Sequence, residues 1–470
     1  KDTFANTNAQ ILEINSKTGL YPLYVTYSIF REKCKEHKDS ELSLELQRDI
    51  WNDTIQNNVF VICKTPMAKQ ITQRTLAGYS DIKINAHYFD DLINQLKNIP
   101  QQFIDRVLKP SYWKKGDVGQ MKFDAIIGNP PYQEVDNNST KGSAKPLYHQ
   151  FIKTGILLSP NYLSLITPSV WFTGGKGLDD FRKQMLNDNR LEKIINYTTP
   201  QEVFSNVNLR GGVNYFLWNK KYDNSINGIS MSNITNGIKE TQENRPLCFN
   251  GIDIFISDNY AVSIIKRFLN ENIIDNENEE KMLSKYISIR NPFGFTTDFK
   301  TNRAFNTTSK DMKEPVEIYA SKGDKGFVEK SLCKKNIDWI SKWKVLTPFA
   351  NNIGTDLPDD NLNTIISQPN TICTETYLVI GADLNLNFYQ CINIELYLKT
   401  KFVRYLISIV KANQNGTRQT YRYVPMQDFT ENSDIDWSKS IPEIDKQLYA
   451  KYNLSEDEIV FIEEKIKPME

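Results

Sequence analysis

Phe123-Asp124-Ala125-Ile126-Ile127-Gly128-Asn129-Pro130-Pro131-Tyr132 is the stretch that decides how this 470-residue chain is to be read. Its first five residues form a branched, apolar run that is too short to span a membrane and ends at a glycine. They read as a buried strand entering a turn. Two prolines cannot extend a central strand, so Asn129 to Tyr132 fall in a loop at its carboxyl end. In open α/β sheets, ligands bind at that end of the strands. The loop offers a side-chain amide, a main-chain carbonyl held in place by rigid prolines, and an aromatic face. Those are the parts that grip an exocyclic amino group on a flat base.

Working outward, residues 11–15 (Ile-Leu-Glu-Ile-Asn) predict a short strand, followed by Ser16-Lys17-Thr18-Gly19 and a helix over about 20–35. Strand, glycine-containing turn and helix make the opening unit of a nucleotide-binding α/β domain. Further strands are expected at 59–63, 82–89, 162–166, 194–197 and 213–218. Helices are expected after Pro66 through Arg74 and around 147–158. The alternation argues for a doubly wound, mostly parallel, Rossmann-like sheet. Residues 223–250 are rich in Asn, Ser, Thr, Gly and Glu and read as a linker. Beyond them the β-α rhythm is lost and a mixed α+β domain is expected. Ser455-x-x-Glu458 has the form of a capping box opening a last helix.

A chain of this length exceeds one ordinary core and suggests two domains. Its 57 basic and 57 acidic residues cancel, but their distribution is uneven. Residues 396–426 hold six basic residues and no acid, whereas 427–470 hold twelve acids against five lysines. The six cysteines (34, 63, 248, 333, 373 and 391) include no Cys-x-x-Cys pair, and only three histidines occur. Neither a disulfide framework nor a metal site is expected, and a reducing cytoplasm is the natural compartment. No apolar run approaches ~20 residues, so no membrane contact is expected. The chain begins at Lys1 without a methionine, about ten residues before its first motif. It is expected to be part of a longer polypeptide.

Asn129-Pro130-Pro131-Tyr132 resembles motif IV of the amino-methyltransferases that act on adenine N6 in DNA. The resemblance gives those residues a chemistry. The N6 lone pair is conjugated into the ring, so the nitrogen is a poor nucleophile. The Asn129 side-chain oxygen and the Pro130 carbonyl would take its two hydrogens and drive it toward tetrahedral geometry. In-line transfer from a sulfonium donor then gains from positioning and fixed dipoles. Tyr132 would stack on the extruded base, a contact of roughly 1–3 kcal/mol. Pro131 keeps the turn rigid. A second aromatic on the other face would help offset the cost of flipping.

Other segments extend the likeness. The segment Ile-Leu-Glu-Ile-Asn-Ser-Lys-Thr-Gly at 11–19 resembles motif I of S-adenosylmethionine enzymes, which implies that Glu13, Asn15 and Gly19 hold the donor. It departs from the commoner Asp-Pro-x-x-Gly-x-Gly form, because Ile14 replaces the proline and Lys17 the first glycine. Motif II places a carboxylate on the donor ribose, but Cys63 or Lys64 stands there. Restoring the acid as Cys63→Asp is expected to tighten binding. Asp90, with Asp91 as the alternative, resembles motif III. Phe151, in Pro146-Leu147-Tyr148-x-x-Phe151, resembles the motif V aromatic against the donor adenine. Phe204 stands where motif VIII places the aromatic opposite Tyr132. Thr173-Gly174-Gly175-Lys176-Gly177 lacks the spacing of a phosphate loop.

The order of these motifs, with 248 residues beyond residue 222, resembles the gamma-class adenine-N6 DNA methyltransferases. It resembles in particular the methylase part of type IIG-like restriction–modification enzymes. The resemblance implies a catalytic domain over 1–222, a linker over 223–250, a target recognition domain over 251–430 and an acidic helical appendage over 431–470. It also implies S-adenosylmethionine as cofactor and double-stranded DNA as partner. A nuclease or helicase in further polypeptide, or on a partner subunit, stays open. Lys399, Lys401, Arg404, Lys411, Arg418 and Arg422, interleaved with tyrosines, are the expected DNA contacts. Residues 300–344 are the next place to look. Two other readings remain: a specificity subunit with an inactive methyltransferase domain, and a methyltransferase acting on RNA or protein glutamine.

Overall fold

The runs Ile11–Ser16 and Val59–Cys63 are buried at every position, an environment that a helix-covered parallel sheet provides. The computed structural model describes residues 6–469 apart from 38–41, 117–118, 135–144, 176, 206–208, 210, 250, 276–277, 354–361 and 412–413. Two units are present, Lys1–Cys248 and Phe249–Glu470.

The first unit begins with β1 (Ile11–Ser16), α1 (Leu20–Glu36), α2 (Leu44–Asn57), β2 (Val59–Cys63), α3 (Pro66–Ala77) and β3 (Asn85–Tyr88). It continues with α4 (Leu92–Asn98), α5 (Pro100–Val107), β4 (Ala125–Gly128), α6 (Tyr148–Leu157) and β5 (Tyr162–Pro168). It ends with α7 (Asp179–Leu186), β6 (Leu191–Tyr197), β7 (Val213–Asn219), β8 (Ile229–Thr235) and β9 (Ile238–Arg245). One sheet takes these nine strands in the order β9-β8-β6-β7-β5-β4-β1-β2-β3, and the two-residue strands Gln133–Glu134 and Lys145–Pro146 pair separately. β7 runs antiparallel to β5 and β6, and β9 antiparallel to β8. The other pairs are parallel.

Val25, Ile29, Ile55 and Leu76 of α1–α3 cover one face, against Ile11, Val59 and Val61. On the other face Phe60 meets Trp113 at 5.2 Å and Phe123 at 5.5 Å. The sheet is therefore doubly wound. From β1 the chain moves out through β2 to β3, then returns to the opposite side of β1 as β4. That reversal is a topological switch point, where such sheets open a crevice at the strand ends.

Residues 223–250 are not a linker. They contain β8 and β9, which extend the same sheet beyond β6. Ile229 and Met231 are enough to bury β8, whereas β9 lies at the edge and needs little apolar surface.

The second unit contains α8 (Asn259–Asn270), β10 (Pro315–Tyr319), β11 (Lys325–Glu329), β12 (Lys344–Pro348), β13 (Ile365–Ser367), β14 (Thr371–Cys373) and β15 (Tyr377–Ile380). After these come α9 (Phe388–Lys399), α10 (Lys401–Val410), α11 (Ile441–Lys451) and α12 (Glu456–Lys465). Its strands form two three-stranded sheets, β11-β10-β14 and β13-β12-β15. The helices pack Phe268, Ile394, Phe402, Leu406, Ile444, Leu448 and Ile462 into one core.

Within residues 431–469 lie the helices α11 and α12, and they are not an appendage. Asp445 of α11 accepts the backbone N–H groups of Lys401 and Phe402 at 3.0 and 2.9 Å, at the start of α10. Burial pushes its carboxyl up to about 6. Acid counting marks the solvent side of α11 and α12 and misses the apolar faces beneath. Among the described residues no helix is long and apolar enough to cross a membrane.

Candidate active site

β1 and β4 lie side by side, with Glu13 level with Ile127. A Cβ on Gly128 would come within 3.2 Å of the Ile14 carbonyl oxygen and 3.6 Å of Glu13 Cγ. Glycine at 128 therefore lets the Asn129–Tyr132 loop leave the sheet directly beside the end of β1. Asn129, Pro131 and Tyr132 are half-buried, and Pro130 is buried. The loop is fixed at its far end by the Leu147 N–H, which donates to the Tyr132 carbonyl at 3.0 Å.

Glu13 is 4% exposed, and its Oε2 has no hydrogen-bond partner. Burial pushes its carboxyl up to about 7, against a smaller lowering by the Ser16 hydroxyl. Asn15 is equally buried, adopts a left-handed φ of 76°, and leaves its Nδ2 unpaired. A buried acceptor and a buried donor, both unsatisfied, are unusual in a folded chain. Here they sit at the switch point. Gly19 takes a φ of 77°, and a Cβ there would lie 3.0 Å from Thr72 Cα. Only glycine allows α3 to close over this turn.

Tyr21 joins the group, a residue the sequence reading passed over. Burial and then the Glu13 charge push its hydroxyl up. Burial and then Tyr21 do the same to Tyr132, whose hydroxyl also lacks a partner. Its position two residues after the motif I glycine was the available signal. Across from Tyr132, the Phe204 ring lies 6.4 Å away at 62°. The structure thus brings together Glu13, Asn15, Gly19, Asn129–Tyr132 and Phe204.

Three expectations fare differently. Cys63 is fully buried in the core with Val25 and Leu76, its Sγ 3.9 Å from Thr72 Oγ1. Burial pushes its thiol up to about 11. A carboxylate placed there would be desolvated, so Cys63→Asp is corrected from a gain to a destabilising change. Phe151, expected against the donor adenine, is 1% exposed in α6. Asp90 and Asp91 are both exposed in the turn after β3, and Asp91 accepts from Gln95 Nε2 at 2.9 Å.

The basic stretch of the second unit is largely structural, which corrects its reading as a phosphate-binding surface. Arg404 is 1% exposed and donates to the carbonyls of Lys399, Thr400 and Lys467. Lys411 is buried against the carbonyls of Asn351 and Ile353. Lys401 pairs with Glu463 at 2.6 Å and Lys399 with Glu395 at 2.9 Å. Arg418 donates to the Ser284 carbonyl at 2.8 Å, and Arg422 pairs with Asp253 at 2.5 Å. These last two remain partly accessible and, with Arg290, line a cavity of about 520 Å³.

With this geometry in place, comparison with known proteins is direct. The Eco57I restriction-modification methylase family matches residues 57–204, from the end of α2 to Phe204. The matched segment is about a third of the chain and carries the central strands of the sheet. An uncharacterised adenine-specific methylase of Mycoplasma pneumoniae (strain ATCC 29342 / M129 / Subtype 1) is 34% identical over 110 residues, 23% of this chain. The match spans 26% of that relative's length. Among solved structures, the type IIL restriction-modification enzyme MmeI in complex with DNA is similar over 98% of this chain and 73% of that one. Identity is 10% and the TM-score 0.52, a likeness of fold. The matched segment holds both the Asn129–Tyr132 loop and Phe204; Glu13 and Asn15 lie upstream of it on β1 of the same sheet, and Gly19 in the turn after β1.

Proposed function

We propose that this chain is a site-specific DNA adenine-N6 methyltransferase of a restriction–modification system, transferring a methyl group from S-adenosylmethionine to a flipped adenine in duplex DNA. One observation carries the reading. The Asn129-Pro130-Pro131-Tyr132 loop leaves the sheet at its switch point, beside buried polar atoms of Glu13 and Asn15 that lack partners. Those two orphans fit an amino-acid tail, which brings an ammonium and a carboxylate. Glu13 would accept from the ammonium, and Asn15 Nδ2 would donate to the donor. When bound, S-adenosylmethionine supplies a sulfonium methyl as electrophile.

The remaining chemistry belongs to the chain. Asn129 Oδ1 and the Pro130 carbonyl would accept hydrogen bonds from the two N–H groups of the adenine amine and localise its lone pair. As N6 takes the methyl it displaces the neutral thioether, the sulfur–methyl bond breaking, and N6 gives up one proton to water. The two prolines hold the Pro130 carbonyl in place before the base arrives, so that acceptor needs little reorganisation as positive charge builds on N6. Tyr132 and Phe204, which meet edge to face, are the aromatic walls that would turn toward parallel to hold a flat base between them, offsetting the loss of its stacking in the duplex. The test is transfer of tritiated methyl from S-adenosylmethionine into duplex DNA, followed by sequencing of modified bases. Donor binding without transfer to any DNA would overturn the reading in favour of RNA or protein as acceptor. Absence of donor binding would favour an inactive specificity subunit.

DNA recognition is assigned to residues 300–344 of the second unit in place of 396–426. The stretch has eleven basic residues against six acids. Arg303, Lys310, Lys313, Lys330, Lys334 and Lys335 are all exposed. Arg290, Arg418 and Arg422, around one cavity, suit base edges better than phosphates. Reversing Lys334 and Lys335 to glutamate is expected to weaken binding to all duplex sequences alike. It should also reduce the log–log salt slope by roughly two. Unchanged affinity and slope in the folded double variant would move recognition elsewhere.

A further inference from the structure

The hairpin β8–β9 does more than widen the sheet. β8 pairs with β6 up to Tyr197, and where β6 ends the Thr198 N–H continues the ladder to the Ile234 carbonyl at 3.0 Å. The chain then turns through Pro200–Glu202 toward Phe204, whose N–H donates to the Pro200 carbonyl at 2.9 Å. Glu202 points back at the hairpin tip. Its Oε1 accepts the Asn236 N–H at 2.8 Å and its Oε2 the Gly237 N–H at 3.0 Å. Both tip residues have positive φ, 53° and 77°, so their two amides face one point. Consecutive amides in such a turn make a small anion-binding concavity. Here the chain's own carboxylate fills it.

The hairpin itself is held rigidly. Asn233 and Asn196 lie level on β8 and β6, as do Asn196 and Asn214 on β6 and β7. Ser169 Oγ donates to Asn196 Oδ1 at 2.6 Å, and Asn196 Nδ2 to Asn233 Oδ1 at 3.0 Å. Asn214 Nδ2 donates to Ser169 Oγ at 3.2 Å. A row of polar side chains thus ties the hairpin across β6 and β7 to Ser169 at the end of β5, the strand beside β4.

We propose that Glu202 is a positioning residue: by clamping the loop to the hairpin tip, it fixes the Phe204 ring opposite Tyr132 and so sets the width of the slot that takes the target base. The inference rests on the methyltransferase reading above. Glu202 is exposed, so the clamp contributes little to overall stability and acts through geometry. A wall displaced by about 1 Å costs catalysis far more than it costs folding.

The experiment uses the full chain, its target site first located by sequencing modified bases. Glu202→Ala and Glu202→Gln are compared with wild type in single-turnover methyl transfer at saturating S-adenosylmethionine. A duplex with 2-aminopurine in place of the target adenine reports flipping by fluorescence. Glu202→Ala is expected to slow transfer about tenfold and to alter the fluorescence of the bound duplex. Its melting temperature and donor affinity should stay as in wild type. Glu202→Gln keeps an acceptor for one amide and should fall between the two. If wild type methylates and Glu202→Ala matches it in rate and fluorescence, the clamp is overturned alone. If wild type methylates no adenine, the enzymatic reading falls and takes the clamp with it.

Discussion

Asn129→Ala removes methyl transfer to adenine and leaves donor affinity within about twofold, because the lost oxygen faces the target base and not the donor. Loss of one fixed polarising group of this kind costs on the order of 10²–10³-fold in rate. The side chain is only half-buried, so folding should be little changed. Single-turnover transfer at saturating donor and DNA reads the chemical step without interference from binding. An Asn129→Ala variant that transfers at the wild-type rate would show that the amide takes no part.

Glu13 gives the second large effect, and it shows in both binding and stability. Glu13→Ala is expected to weaken S-adenosylmethionine binding by roughly 1.5–3 kcal/mol, the worth of a charged hydrogen bond. Calorimetry checks it, and unchanged affinity would remove Glu13 from the site. The pH dependence follows from a carboxyl at about 7 against an ordinary 4.5. Below about pH 4.5 folded and unfolded chains both hold the proton, and Glu13 costs nothing. From there to about 7 the unfolded chain releases it while the folded chain keeps it, so stability falls as pH rises. Above 7 the loss is complete, on the order of 3 kcal/mol. Glu13→Gln should therefore raise the melting temperature of the donor-free protein at about pH 8 and leave it unchanged at about pH 4.5. An ammonium favours the ionised carboxylate, so wild-type donor affinity should rise between about pH 5 and about pH 7. Melting curves of Glu13→Gln and wild type that coincide at both pH values would contradict this account.

What could be read in advance follows from how each segment meets its surroundings. Strands covered on both faces are apolar at every position; all five residues of Val59–Cys63 are buried, and the run announces itself. The Asn129 loop was legible because two prolines after such a run admit few conformations. The hairpin was not, because β9 buries only Arg245 fully and its composition is that of a loop. The one local sign was Asn236-Gly237, a strong turn signal between strands. The basic stretch misled for another reason. Counting charges assumes that they face water, whereas eight of the ten residues of Lys401–Val410 are buried, Arg404 among them. A helix apolar nearly all round belongs to a core, and a cation inside it must find carbonyls.

The two ends of the nine-stranded sheet have a consequence for the molecule's behaviour at high concentration. An open edge strand is a template on which a second chain can add, by backbone hydrogen bonds alone. β9 forms one edge and lines it with Lys239, Glu240 and Glu243, so an approaching strand would have to desolvate charge along much of its length. β3, at the other edge, is only four residues long and offers too short a ladder to hold a partner. Charge at one margin and brevity at the other guard a large, strongly apolar sheet against growing into an aggregate.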